Sequence, residues 1–136
     1  MHKHFLYEGS IVVYYENFGK SRLTELARDF PQRKDFLDAL NARVWDQLEV
    51  FKQALNDHRL ALSKSIKVVL PTFVPNLSYK NLNVQKGDQA QLQWKKMIDI
   101  KWGPAKTQEI EDLLAYCKLD TLAMVELHGY LESLVD

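Results

Sequence analysis

The chain has 136 residues, 46% hydrophobic, 26% charged and 11% aromatic, which is enough for one domain with a real core. Lys plus Arg and Asp plus Glu both number 18, so a generally basic nucleic-acid clamp is excluded and any such contact needs a local patch. The single cysteine, Cys117, excludes an intramolecular disulfide and a thiolate metal cluster. No signal peptide and no apolar run of spanning length is present, so a cytoplasmic protein without a membrane partner is expected.

Phe5-Leu6-Tyr7 leads to a Gly9-Ser10 turn. Residues 11–15, Ile11-Val12-Val13-Tyr14-Tyr15, form the clearest strand, and their uniform apolarity predicts a buried one. Asn17 is a candidate cap for a helix whose Phe18, Leu23, Leu26, Ala27 and Phe30 face inward until Pro31 stops it. Gly19 is odd in that first turn, because glycine weakens a helix start. A second helix is expected over 32–41 with Phe36, Leu37 and Leu40. A short strand follows at 43–46, then a helix carrying Leu48, Val50, Phe51, Ala54 and Leu55.

Asn56-Asp57-His58-Arg59 opens the most loop-like region. The piece over 65–70 is ended by Pro71, and its β-branched residues leave strand and helix both open. Pro71, Pro75 and the polar Asn76-Leu77-Ser78-Tyr79 predict an irregular connection. Asp88 is a candidate cap for a helix over 89–98, with Trp94 on its apolar side beside Ala90 and Met97. Trp102-Gly103-Pro104 breaks the chain, and Thr107 opens the last helical region.

In that region Leu113, Cys117, Met124, Leu127 and Leu131 mark one stripe of helical period. The place between Cys117 and Met124 falls on Asp120, with Tyr116 one turn before it. An inward carboxylate needs a partner or a metal. A tyrosine one turn away fits either a site or a plain Tyr–Asp hydrogen bond. The tally is about six helical pieces and one sure strand, a helix-rich α/β chain.

Other chemistry finds little support. His2, His4, His58 and His128 have no zinc-binding spacing, and no phosphate-cradling loop or nucleophile elbow occurs. Lys64, Lys67 and Lys80, near Tyr79, are candidates to follow a phosphate backbone, against the plainer reading of a solvated face. Trp45, Trp94 and Trp102 are read as core.

Four runs carry a resemblance. Gly9-Ser10-Ile11-Val12-Val13-Tyr14, Ser21-Arg22-Leu23-x-Glu25-Leu26-Ala27, Ser65-Ile66-Lys67-x-Val69-Leu70-Pro71 and Leu114-x-Tyr116-Cys117-x-x-Asp120-Thr121-Leu122-Ala123-Met124-Val125 closely resemble the bacterial DUF2779 family. That family is similar to the ribonuclease H-like, DEDD-type 3′–5′ exonucleases. The resemblance implies a two-metal phosphodiesterase, with four carboxylates holding two Mg²⁺ or Mn²⁺ ions. Tyr116 and Asp120 match the Tyr-x-x-x-Asp motif of the tyrosine subclass. By that likeness Asp120 is a metal ligand and Tyr116 orients the attacking water, with Lys64 and Lys67 as nucleic-acid contacts.

The departures from the pattern are as specific. The Asp-x-Glu motif belongs upstream of the Gly9 strand, where the chain has no room for it. Gly19 occupies the acidic place of the second motif, Tyr15 replaces its Asn, and Glu16 stands three residues away as the nearest substitute ligand. Leu62-Ser63-Lys64 alters the Gly-Ser run expected before Ser65. The expectation is therefore residues 1–136 as one domain, the C-terminal portion of a larger ribonuclease H-like domain, truncated or degenerate. Activity would need an N-terminal nuclease portion. The alternative is a non-catalytic binding or scaffolding domain. A strand at 11–15 without upstream partners predicts self-association through its edge, or helices repacked over it.

Overall fold

A computed structural model describes residues 8–55 and 57–135. The readings on Phe5-Leu6-Tyr7, His2, His4 and Asn56 lie outside the described residues. Within the span expected as one domain the chain builds two compact units, Met1–Lys64 and Ser65–Asp136.

The first unit is a parallel strand–helix–helix–strand crossover. Strand β1 (Ile11–Val13) leads into α1 (Glu16–Asp29), a 3-10 turn at Pro31–Arg33, α2 (Lys34–Asn41), β2 (Val44–Asp46) and α3 (Gln47–Gln53). The two strands pair in parallel, Ile11 with Val44, Val12 with Trp45 and Val13 with Asp46. A parallel pair needs a long return path, and α1 with α2 supplies it. The core gathers Ala27, Leu40, Leu48, Phe51 and Leu60, and the Tyr14 ring sits 6.3 Å from that of Phe51.

Two expectations are corrected here. The 11–15 segment is a three-residue, half-buried strand rather than a buried one, because Tyr15 leaves the ladder. Tyr15 adopts a left-handed conformation (φ 77°) and is 51% exposed. On α1, only Ala27 of the five expected inward residues is fully buried. Phe18, Leu26 and Phe30 face solvent. Gly19 explains the rotation: a Cβ there would lie 3.2 Å from Val13 Cγ1, so α1 rests on β1 where only a hydrogen fits without adjustment.

The cap of α1 also comes from elsewhere. Asn17 lies inside the helix, and Tyr15 at the cap position offers no side-chain bond. Instead Asp46 Oδ1 accepts from the Tyr15 N–H at 2.8 Å, and Oδ2 from the Glu16 N–H at 2.7 Å. The same Oδ1 accepts from the Leu48 N–H at 3.0 Å and so caps α3. One buried carboxylate satisfies the first amides of two helices.

The second unit holds three helices: α4 (Ile66–Phe73), α5 (Gly87–Asp99) and α6 (Pro104–Ser133). The undecided piece at 65–70 is a helix, and it runs through Pro71. Val69, Leu70 and Phe73 are buried on one face, and that burial outweighs the local β preference. Pro71 removes one helical hydrogen bond, but Thr72 Oγ1 donates to the Val68 carbonyl at 2.7 Å and the Val74 N–H reaches Leu70 at 2.7 Å.

Side-chain amides hold the irregular stretch before α5. Gln89 Nε2 donates to the Asn83 carbonyl at 3.0 Å, and Gln85 Nε2 donates to the carbonyls of Leu82 and Lys80. Helix α5 starts at Gly87, ahead of the expected Gln89, so Asp88 lies in its first turn rather than at its cap. Helix α6 starts at Pro104, one turn before Thr107. Proline suits that first position because its missing N–H has no helical partner to lose.

The buried stripe of α6 is Leu119, Ala123 and Leu127. The expected stripe is met at Leu127, but Cys117 is exposed, and Leu113, Met124 and Leu131 are only half-buried. Phe73 and Tyr130 stack at 4.9 Å. The tryptophans are corrected as well, since Trp45, Trp94 and Trp102 all reach the surface, Trp102 at 80% exposure. Among the described residues no helix is long and apolar enough to cross a membrane.

Candidate functional site

Asp120 lies beside the buried Leu119 on α6 and is half-buried. Its Oδ1 accepts the Tyr79 hydroxyl at 2.5 Å, across 41 residues of chain. Tyr79 opens a 3-10 turn, Tyr79–Asn81, and the Ser78 hydroxyl accepts from the Lys80 N–H at 3.2 Å to hold that turn in place. The ring is buried, so the phenol needs an internal partner, and Asp120 supplies it. A short hydrogen bond to an ionised acceptor is among the stronger kinds.

Tyr116 stands one turn before Asp120, its ring centroid 6.1 Å from that of Tyr79. Burial first, then the Asp120 charge, push its hydroxyl up to about 12 from an ordinary 10.0. The start of α5 closes over it, since a Cβ on Gly87 would sit 3.7 Å from its oxygen. Lys67 Nζ lies 5.7 Å from the centre of the Tyr79 ring, a cation–π distance.

The second unit therefore brings Tyr116, Asp120 and Lys67 together around Tyr79. Glu16 and Lys64 belong to the first unit. Glu16 pairs with Lys20 at 2.7 Å on the surface of α1, and the Lys64 carbonyl accepts the Tyr14 hydroxyl at 2.6 Å. Burial, and then the nearby Asp46 charge, raise the Tyr14 pKa.

The donor set around Asp120 can be tested against a pair of Mg²⁺ or Mn²⁺ ions. Such ions require several oxygen ligands, mainly carboxylates, and one oxygen of Asp120 is engaged by a phenol. Among the described residues no group of three or more His, Cys, Asp or Glu side chains could hold a metal. The residues present do not fit a two-ion site.

Tyr79 is the functional residue that sequence reasoning missed. It sits in a polar, Pro-flanked tract that reads as loop. An inward Asp120 is a signal that some donor must face it, but sequence spacing does not say which.

The high Tyr116 value fixes a pH dependence. The folded chain holds that proton more tightly than the unfolded one. Its contribution to stability is therefore complete below pH 10.0 and lost as pH rises toward about 12. Unfolding followed across that window should show an alkaline decline that Tyr116→Phe reduces. Phenolate absorbance should also show one fewer late-titrating tyrosine in that variant.

A helix-rich α/β chain with this crossover belongs to the family described as Domain of unknown function (DUF2779), whose model matches residues 1–73. The match covers the first unit and α4; Tyr79, Tyr116 and Asp120 lie beyond it. The chain is also 29% identical over 142 residues to the "Uncharacterized protein MG366 homolog" of Mycoplasma pneumoniae (strain ATCC 29342 / M129 / Subtype 1). That similarity covers 93% of this chain and 21% of the relative, so the chain spans about a fifth of that protein's length. No solved structure matches.

Proposed function

We propose that this chain is a degenerate, ribonuclease H-like exonuclease-type segment that acts in the cytoplasm as a non-catalytic binding or scaffolding domain. In this reading Tyr116 and Asp120 have become packing residues. The observation that carries it is the Tyr79 hydroxyl bonded to Asp120 Oδ1 at 2.5 Å, which gives the inward carboxylate a structural partner. Gly19 at the acidic place of the second motif, packed against Val13, supports the same reading.

A double-mutant cycle tests it. Tyr79→Phe and Asp120→Ala should each lower the unfolding free energy by about 1–2 kcal/mol, the cost of unmaking a charge-assisted bond in a partly buried place. The double variant should lose about 1 kcal/mol less than the sum. Strict additivity would mean that the two side chains do not act as a pair, and the reading would fall.

A second reading rests on the Tyr-x-x-x-Asp spacing together with the fifth of the relative that this chain spans. Here Asp120 is one ligand of a Mg²⁺ or Mn²⁺ site completed by carboxylates of an N-terminal nuclease portion, and Lys64 and Lys67 meet the nucleic acid. Divalent-ion binding by a longer protein, lost on Asp120→Asn, is its signature.

A further inference from the structure

The turn between α5 and α6 concentrates positive charge. Residues 94–106 carry four lysines, Lys95, Lys96, Lys101 and Lys106, against one acid, Asp99. Residues 107–136 carry one lysine against seven acids. In the first unit surface cations find acids nearby, as Lys20 does with Glu16, Arg22 with Glu25 and Lys34 with Asp38. Among the described residues none of the four lysines at the turn pairs with a carboxylate, although Asp99 follows Lys95 and Lys96 by about one helical turn. Lys106 Nζ instead donates to the Ile100 carbonyl at 3.1 Å.

Apolar surface stands among these charges. Trp102 is 80% exposed, and the Lys106 ammonium lies 4.7 Å from the centre of its ring, so indole and cation share one surface. Ile98, in the last turn of α5, is 57% exposed. Lys95 precedes it by three residues and lies on the same helical face. Indole among ammonium groups suits the boundary of a bilayer, where the ring sits at headgroup depth and the lysines meet lipid phosphates. Ile98 sets this surface apart from one that follows a nucleic-acid strand. A sugar–phosphate chain offers an exposed isoleucine nothing, whereas acyl chains take it out of water.

We propose that the α5–α6 turn binds the surface of an anionic lipid bilayer, with Trp102 and Ile98 at the headgroup–acyl boundary and Lys95, Lys101 and Lys106 on the lipid phosphates. The acids of α6, which begin at Glu109, are repelled by the same surface, so the turn leads and the rest of the helix stays clear. The expectation of a chain without a membrane partner came from the lack of a spanning run, and a surface contact needs none. The proposal goes beyond the binding or scaffolding reading and holds whichever role Asp120 has.

The test sediments the full chain with sucrose-loaded vesicles of phosphatidylcholine and phosphatidylglycerol in equal parts, and with vesicles of phosphatidylcholine alone. The chain should bind the mixed vesicles only, and less as salt is raised. Lys101→Gln should weaken binding about fivefold, the worth of one lysine near an anionic surface. Trp102→Ala should weaken it about tenfold with an unchanged circular dichroism spectrum, because Trp102 is exposed. Lys118→Gln, at an exposed lysine of α6 outside the turn, is the control and should bind as wild type. No binding to the mixed vesicles, equal binding to both kinds, or equal loss in the Lys118 variant would overturn the proposal. Binding of oligothymidylate that depends on Trp102, without vesicle binding, would overturn it in favour of single-stranded nucleic acid.

Discussion

Asp46→Ala should lower the unfolding free energy by about 3 kcal/mol. Capping is worth about 1 kcal/mol at each of two helices, and further cost comes from amides left without an acceptor in a buried place. Asp46 serves the N–H groups of Tyr15, Glu16 and Leu48 at once, so its loss is felt at the starts of both α1 and α3. Tyr15 adds to this, since its left-handed backbone is strained for a bulky residue and needs its N–H anchored. Asp46→Asn keeps one acceptor oxygen and should lose about half as much. Urea denaturation of the two variants against wild type measures both numbers. A loss under about 1 kcal/mol in the alanine variant would show that water replaces the carboxylate, and the two-helix cap would have no energetic meaning.

Leu127→Ala should cost about 3 kcal/mol, within the range for deleting a fully buried leucine and leaving a cavity. Leu114→Ala should cost well under about 1 kcal/mol, and Cys117→Ser should stay within about 0.5 kcal/mol, as surface changes do. Thermal unfolding of the three variants compares the buried and the exposed faces of α6 directly. Equal losses in Leu127→Ala and Leu114→Ala would mean that the Leu114 face of α6 is core after all.

The stripe shows how far the sequence could be followed. Leu119, Ala123 and Leu127 repeat every four residues, and so do Leu113 and Cys117, because α6 carries apolar residues on more than one face. Periodicity finds such a helix but does not choose which face meets the rest of the unit. Helix content, the strand near residue 11 and the second strand near residue 44 were all legible, since β-branched runs and turn residues bracket them. The true cap of α1 was not. Asp46 lies 30 residues from Glu16 in sequence, and local cap rules look only a few residues back.

Pro71 misled for a related reason. A proline ends most helices, but three buried side chains on one face keep α4 going beyond it. At the candidate site, Tyr116 and Asp120 were legible from their shared helical face. The third member, Tyr79, was not, because it arrives from a distant polar tract whose fold only tertiary contacts decide.

Whether Asp120 serves as a packing carboxylate is decided most directly by one calorimetric experiment. Mg²⁺ and Mn²⁺ are titrated into this chain and into its Asp120→Asn variant at neutral pH. The expected result is no binding heat from either protein with either ion, because one phenol-bonded carboxylate does not make a divalent-ion site. Saturable heat in the wild type that vanishes in Asp120→Asn would contradict the account and return the chain to the nucleases.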